Sequence, residues 1–405
     1  MYLCNQNQKK HMDSFFRTHA YLVSHLGNTI RRDLMDEINW SDRLIGIKGT
    51  RGVGKTTFLL QYAKEKFSIE DKTCLYINAN NFYLQNIGIK EFAGEFYHNG
   101  GKVLLIDQVF KHPDWSAQLR DCYESYKGLK IVFTGSSVMR LKEENPELNG
   151  IVKSYNLRGF SFREYLQLMT KMRLPKFTLE EIVNDHEKIA SQICSRINPR
   201  EHFQSYLHHG YYPFFLGQGN YSEKLLTYMN MMIEVDILQV KQIELKYLDK
   251  IKKLFYMLTT NGSTIPNVSQ LSIDLGMSRA TVMRYIKNLM DARLVNMIYA
   301  PGDDYPKKPA RVLLHNTNLM YSFYPQSFDS QDIQETFFCN TLWKDHKVYK
   351  HGTHNCSFNI DGEYEFRIVE HSTKLKSKSK TLFAVNHCDI GTGNQIPLWL
   401  FGFLY

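Results

Sequence analysis

Eight consecutive residues, Gly49-Thr50-Arg51-Gly52-Val53-Gly54-Lys55-Thr56, constrain this chain more than any other feature. They fit the spacing G-x-x-x-x-G-K-S/T, which 405 residues of average composition meet by chance on the order of one per cent of the time. An apolar stretch at 44–48 precedes the run and an amphipathic stretch at 56–67 follows it, so the loop is expected between a buried strand and a helix. Glycines let backbone N–H groups turn inward around phosphate oxygens. A helix starting near Lys55 aims its positive end at the same oxygens. Lys55 would meet the β- and γ-phosphates as a point charge, and the Thr56 hydroxyl would ligate Mg²⁺. The expected ligand is a nucleoside triphosphate, ATP first, with Mg²⁺. The expected contact set is Gly49, Thr50, Arg51, Gly52, Val53, Gly54, Lys55, Thr56 and Thr57.

The neighbouring segments read as the rest of an α/β parallel sheet. Residues 74–78 alternate like a strand, 103–107 and 131–134 are short apolar runs, and 117–126 is helical between them. Asp107 closes its run and is expected beside the loop, holding Mg²⁺ through water. Thr134-Gly135-Ser136-Ser137 closes the next run. Ser136 is a candidate to sense the γ-phosphate or position water, and equally a residue of a turn or helix cap.

Past Gly159 the pattern changes. Residues 161–245 show helical periodicity and no clear strand, which predicts a helical lid. Residues 246–315 read as three helices (247–260, 267–275, 279–293) and a hairpin (295–299, 311–315), the order of a winged helix-turn-helix. Arg279, Arg284 and Lys287 on its third helix, with Lys307 and Lys308 on the wing, suit contacts to nucleic acid. The same charges suit a solvated face on a module that joins two protein domains. Residues 316–405 mix a helix (333–343) with strands (356–360, 364–369, 381–385), and the apolar end 396–405 is expected to be a buried strand.

Composition narrows the setting. Fifty Lys and Arg against 41 Asp and Glu give +9, which permits a nucleic-acid or acidic partner without requiring one. The seven cysteines form no C-x-x-C pair, so neither a disulfide framework nor a zinc site is expected. His351 and His354 lie near Cys356 without an acidic partner to complete a metal set. With no signal-peptide pattern at the N-terminus and no apolar run approaching roughly 18 residues, a soluble cytoplasmic protein with no membrane partner is expected.

As a set, several segments resemble the prokaryotic AAA-type P-loop ATP-binding proteins that carry a winged helix and a C-terminal restriction-endonuclease-like domain. They are 45–61, the Asp107 run followed by His112-Pro113-Asp114-Trp115, 133–137, and Gly159-Phe160-Ser161-Phe162-Arg163-Glu164-Tyr165. Gly210-Tyr211-Tyr212-Pro213-Phe214, Glu335-Thr336-Phe337-Phe338 and 397–405 complete the set. The resemblance implies four parts: a nucleotide-binding domain with N-terminal helices at 1–160, a lid at 161–245, a winged helix at 246–315 and a degenerate endonuclease-like α+β domain at 316–405.

The departures from that family bear on activity. Where it has Asp-Glu, this chain has Asp107-Gln108, and Gln orients water but accepts no proton. Where it has an Arg pair resembling an arginine finger, this chain reads Glu147-Leu148-Asn149-Gly150-Ile151-Val152-Lys153, with Arg140 and Arg158 off position. The resemblance thus implies ATP and Mg²⁺ binding with slow or absent hydrolysis, Gln108 and Ser136 standing at the catalytic positions, and an unnamed protein partner. Its alternative is a working ATPase coupled to DNA through the winged helix. In the C-terminal domain, Ser357-Phe358 and Phe366-Arg367 stand where nuclease relatives carry acidic residues, and Asp361, Glu363, Glu365 and Glu370 are out of register. Metal-dependent nuclease chemistry needs carboxylate oxygens, so it is not expected. Oligomeric state is left open.

Overall fold

A computed structural model describes residues 2–27, 29–139, 141, 145–260, 265–323, 328–352, 357–372 and 381–405. Arg140, His354, Cys356 and the Lys/Ser-rich run 374–380 lie outside the described residues. The chain divides into two compact units, 1–158 and 159–405.

The first unit opens with helices α1 (Tyr2–Ser24) and α2 (Leu34–Glu37). Five strands follow: β1 (Leu44–Gly49), β2 (Cys74–Asn78), β3 (Val103–Asp107), β4 (Lys130–Ser136) and β5 (Lys153–Asn156). Helices α3 (Lys55–Lys66), α4 (Phe82–Ile87), α5 (Ile89–His98) and α6 (Trp115–Ser125) connect them. Every strand pair is parallel, in the order β2-β3-β4-β1-β5. Every residue of β3 is buried, as is every residue of β1 except Lys48, which is why these strands read as apolar runs instead of alternating ones. The order has a consequence for function. β1 leads away to β2 at one edge, while β4 leads past β1 to β5 at the other. The crevice at the carboxyl ends of β1, β4 and β3 is therefore a topological switch point, where open α/β sheets bind ligands. β5 has the polar sequence Lys-Ser-Tyr-Asn and no buried residue, so no apolar run announced it. Its place beside β1 (Ile45 opposite Lys153) arises from tertiary pairing.

The second unit begins with helices α7 (Phe162–Thr170), α8 (Leu179–Cys194), α9 (Pro199–Ser205), α10 (Tyr221–Met231) and the short α11 (Leu238–Val240). Reciprocal capping boxes, Ser161 with Glu164 and Thr178 with Glu181, start α7 and α8. Helices α12 (Leu248–Thr260), α13 (Val268–Leu275) and α14 (Arg279–Asp291) come next, followed by an antiparallel pair, β6 (Val295–Ile298) and β7 (Arg311–Leu314). After α15 (Thr317–Phe323) and α16 (Ser330–Leu342), the chain forms β8 (Val348–Lys350), β9 (Ser357–Ile360), β10 (Tyr364–Val369), β11 (Leu382–Val385) and β12 (Gln395–Pro397). These five make a mixed sheet in the order β12-β11-β10-β9-β8, antiparallel on the β8-β9-β10 side and parallel on the other.

One core joins α7 to the C-terminal sheet, with Phe162, Phe338, Phe366, Trp399 and Phe401 all fully enclosed. The apolar end of the chain departs from expectation here. Only Gln395–Pro397 is strand, and Leu398–Phe403 winds into a 3₁₀ helix buried on all sides. A continuous apolar run carries no period to separate strand from helix, and burial among aromatic rings decided the outcome. No helix among the described residues is long and apolar enough to cross a membrane.

Candidate functional site

The loop from Gly49 to Thr56 joins β1 to α3 through two left-handed glycines, Gly52 (φ 82°) and Gly54 (φ 92°). A side chain at either position would be strained. Gly49 is required for a different reason, since a Cβ there would stand 2.5 Å from the Leu157 carbonyl oxygen. Val53 is fully buried and anchors the loop from below. Its carbonyl accepts from Arg32 at 3.3 Å, and the same guanidinium donates to the Arg158 carbonyl at 2.8 Å. Arg32, itself buried, thus ties the loop to the segment after β5.

Lys55 arches back over the loop and donates to the carbonyls of Gly49 (2.7 Å) and Thr50 (2.9 Å). Thr50 is buried, Arg51 and Thr57 are half-buried, and Thr56 is exposed at the head of α3. The Thr56 hydroxyl donates to Oδ2 of Asp107 at 2.6 Å. Asp107, at the end of β3, is 1% exposed. It accepts from two more hydroxyls, Tyr76 on Oδ2 at 2.9 Å and Thr134 on Oδ1. Burial, and next the Asp107 carboxylate, push the Tyr76 hydroxyl far above its ordinary range, so it stays a donor.

Gln108 follows in the left-handed region (φ 55°, ψ 45°) and donates its N–H to the Thr134 hydroxyl at 2.9 Å. Thr134 therefore joins the carboxylate to the backbone of the residue beside it. Ser136, though opposite Gly49 in the sheet and buried, is engaged in the turn after β4, where its Oγ accepts from the Val138 N–H at 3.4 Å. Sequence reasoning singled out Ser136. The hydroxyl that meets Asp107 and Gln108 belongs to Thr134, on the same face two residues earlier. Tyr76 and Arg32 were missed altogether. Only the adjacency of β2 and β3 brings Tyr76 to Asp107, although its place two residues before the end of β2 was a usable signal.

The donor set fits a hard cation. Thr56 and Asp107 offer two oxygens 2.6 Å apart at the start of a helix, next to a lysine. Among the described residues no group of three or more His, Cys, Asp or Glu is placed to hold a metal ion. A cation here would complete its shell with phosphate oxygens and water, as Mg²⁺ commonly does.

The other candidate residues lie in the second unit. Ser278 caps α14, accepting from the Thr281 N–H at 3.1 Å, and Val282, Ile286 and Leu289 point inward. Arg279, Arg284 and Lys308 are exposed. Lys287 is paired with Asp291 at 2.9 Å and Lys307 with Asp303 at 2.6 Å. In the C-terminal sheet Ser357 stands opposite Arg367. The nearby carboxylates disperse: Asp361 meets His346 at 2.6 Å, Glu365 meets His351 at 3.5 Å, and Glu370 meets His387 at 2.9 Å.

Comparison with known proteins bears on both units. Residues 41–166 match a family described as "AAA domain", and residues 200–309 match one described as a domain of unknown function. An uncharacterized protein of Methanocaldococcus jannaschii is 27% identical over 289 residues, which is 67% of this chain and 60% of that protein. The chain thus spans about three fifths of the length of the curated relative it matches. Among solved structures, the Aeropyrum pernix Orc1 protein in complex with DNA is 11% identical, covering 81% of this chain and 92% of that one, at a TM-score of 0.29. AMPPCP-bound DnaA from Aquifex aeolicus is 13% identical, covering 68% and 86%, at a TM-score of 0.25. The AAA match falls on the parallel sheet and its loop, so the first unit holds an AAA-type P-loop α/β domain.

Proposed function

We propose that this chain binds MgATP at the head of α3 and uses binding, more than turnover, to switch its interaction with a protein partner in the cytoplasm. The observation that carries this reading is the Thr56–Asp107 contact of 2.6 Å beside Lys55, followed in sequence by Gln108 instead of a carboxylate. Lys55 would leave the carbonyls of Gly49 and Thr50 for the β- and γ-phosphates. The N–H groups of 49–57 would surround the phosphate oxygens, and Thr56 and Asp107 would hold the cation. Bound Mg²⁺ neutralises charge on the β- and γ-oxygens. Gln108 can orient water but takes no proton, and the segment 147–153 supplies no arginine. An arginine finger alone is worth about 10³ to 10⁵ in rate, so binding survives while hydrolysis is slow. In this reading 161–245 acts as a lid, 246–315 as a winged helix and 316–405 as a packing or partner-binding module.

The test is ATP binding by calorimetry and phosphate release, measured together on wild type, Lys55→Ala and Gln108→Glu. Wild type should bind with magnesium and turn over at about 10⁻³ s⁻¹ or slower, the scale of a P-loop hydrolase without its finger. Lys55→Ala should lose binding, and Gln108→Glu should turn over faster than wild type. An ordinary ATPase rate in wild type, abolished by Lys55→Ala, would overturn the reading.

A second reading is a working ATPase coupled to DNA through 246–315, favoured by the exposed Arg279, Arg284 and Lys308. The pairing of Lys287 and Lys307 with aspartates weighs against it. Duplex binding that falls steeply with added salt would support it.

A further inference from the structure

A cavity of about 630 Å³ opens between α14, the turn after α13 and the segment 241–250. It lies within the stretch matched to a domain of unknown function, and its volume is in the range of small-molecule sites, roughly 300–1,000 Å³. Two of its lining side chains, on one face of α14, are deeply buried yet polar: Tyr285 is 1% exposed and Asn288 6%. Among the described residues neither the Tyr285 hydroxyl nor the Asn288 amide has a hydrogen-bond partner. Neither is among the fully enclosed polar atoms that lack a partner, so the hydroxyl and the amide open onto the cavity and are available to what enters it.

The rest of the lining says what that partner is. Three cations line it from separate elements: Lys241 after α11, Lys250 on α12, whose ammonium donates to the Gly276 carbonyl at 3.2 Å, and Arg284 on α14. Glu244 is the acidic residue of the lining, and Lys246 neutralises it at 2.7 Å. Tyr247 faces Tyr285 with ring centroids 6.4 Å apart and planes tilted by 59°. Arg284 lies 5.5 Å over the Tyr285 ring. Aromatic walls receive a flat ring, an amide pairs with the donor and acceptor edge of a nucleobase, and clustered cations take a phosphate.

We propose that this cavity is a second ligand site, which binds a nucleoside monophosphate with its base against the aromatic wall of Tyr247 and Tyr285 and beside Asn288, and its phosphate toward Lys241, Lys250 and Arg284. The site is separate from the P-loop and does not depend on that reading. Its occupancy would be felt directly by α14, the helix that carries the exposed Arg279 and Arg284.

The experiment uses the full chain carrying Lys55→Ala, so that the P-loop does not contribute. AMP, GMP, CMP, UMP, their four nucleosides, inorganic phosphate and a short oligothymidylate are titrated by calorimetry. At least one monophosphate should bind more tightly than about 1 mM, with its nucleoside and free phosphate each weaker by about tenfold or more. Asn288→Ala should reduce that affinity by about tenfold and flatten the preference among bases. Because Asn288 is buried, Lys250→Ala and Arg284→Ala are read in parallel, with circular dichroism confirming the fold, and each should also weaken binding. No monophosphate binding, equal binding of inorganic phosphate, binding of the oligonucleotide alone, or affinities untouched by Lys250→Ala and Arg284→Ala would each overturn the proposal. ATP binding to the chain with Lys55 intact and Asn288→Ala in place reports the P-loop separately, so the two sites fail independently.

Discussion

The Tyr76 hydroxyl lies 2.9 Å from Oδ2 of Asp107, reaching from β2 to the end of β3. This contact orients the carboxylate from the side opposite the loop, while Thr56 holds the same oxygen from the loop itself. A hydrogen bond to a charged group contributes roughly 1.5–3 kcal/mol. Tyr76→Phe should therefore lower unfolding free energy by about 1–3 kcal/mol, read by urea denaturation. Saturating MgATP should narrow the gap, because a bound cation would satisfy the same oxygen.

Thr134 should matter more than Ser136. Its hydroxyl donates to Asp107 and accepts the Gln108 N–H, so Thr134→Val removes both bonds from a buried site. Thr134→Ser keeps both. The expected loss is about 2–4 kcal/mol for the Val variant, well under half of that for Ser, and about 1 kcal/mol or less for Ser136→Ala. Thermal denaturation of the three variants checks the order.

Acid should loosen α1. The Nδ1 atom of His19 accepts the Tyr76 N–H at 2.9 Å, a role open only to an unprotonated nitrogen, and burial lowers the His19 pKa. Its folded pKa lies below the unfolded value of about 6.5, so the unfolded chain takes up the proton first. The stabilisation is complete above about pH 6.5 and is lost as pH falls through the lower folded pKa. The protection factor of the Tyr76 amide, its exchange rate referred to that of an open amide at the same pH, should fall over that window in wild type. A flat profile would refute the assignment.

In the second unit, Arg311 and Glu335 form a buried ion pair at 2.5 Å, with side chains 3% and 1% exposed. Removing one partner leaves a buried charge without its counterion, which costs about 3–5 kcal/mol. Arg311→Met should lower stability on that scale. The double variant Arg311→Met, Glu335→Leu should recover most of it. Denaturant midpoints for the single and double variants test the coupling.

The local chemistry of the first unit was legible along the chain. The loop spacing, the strands 74–78 and 103–107 and the Asp107-Gln108 pair are short-range patterns, in which each residue's neighbours in sequence are also its neighbours in space. That Gly49, Asp107 and Ser136 stand at adjoining strand ends is set by the strand order β3-β4-β1 and not by any of these local patterns. At the other end of the chain, 396–405 was expected to be strand, because an apolar run shows burial without showing a period.

The sequence alone determined that a phosphate-binding turn opens a helix and that an aspartate ends a buried strand, since strand period, helix start and glycine conformation are all local. Tertiary structure alone decided that Tyr76 and Thr134 hold that aspartate, that Arg32 supports the loop, and that polar Lys153–Asn156 completes the sheet. Those contacts join segments far apart in the chain. Strand order sets them, and no single stretch of sequence encodes it.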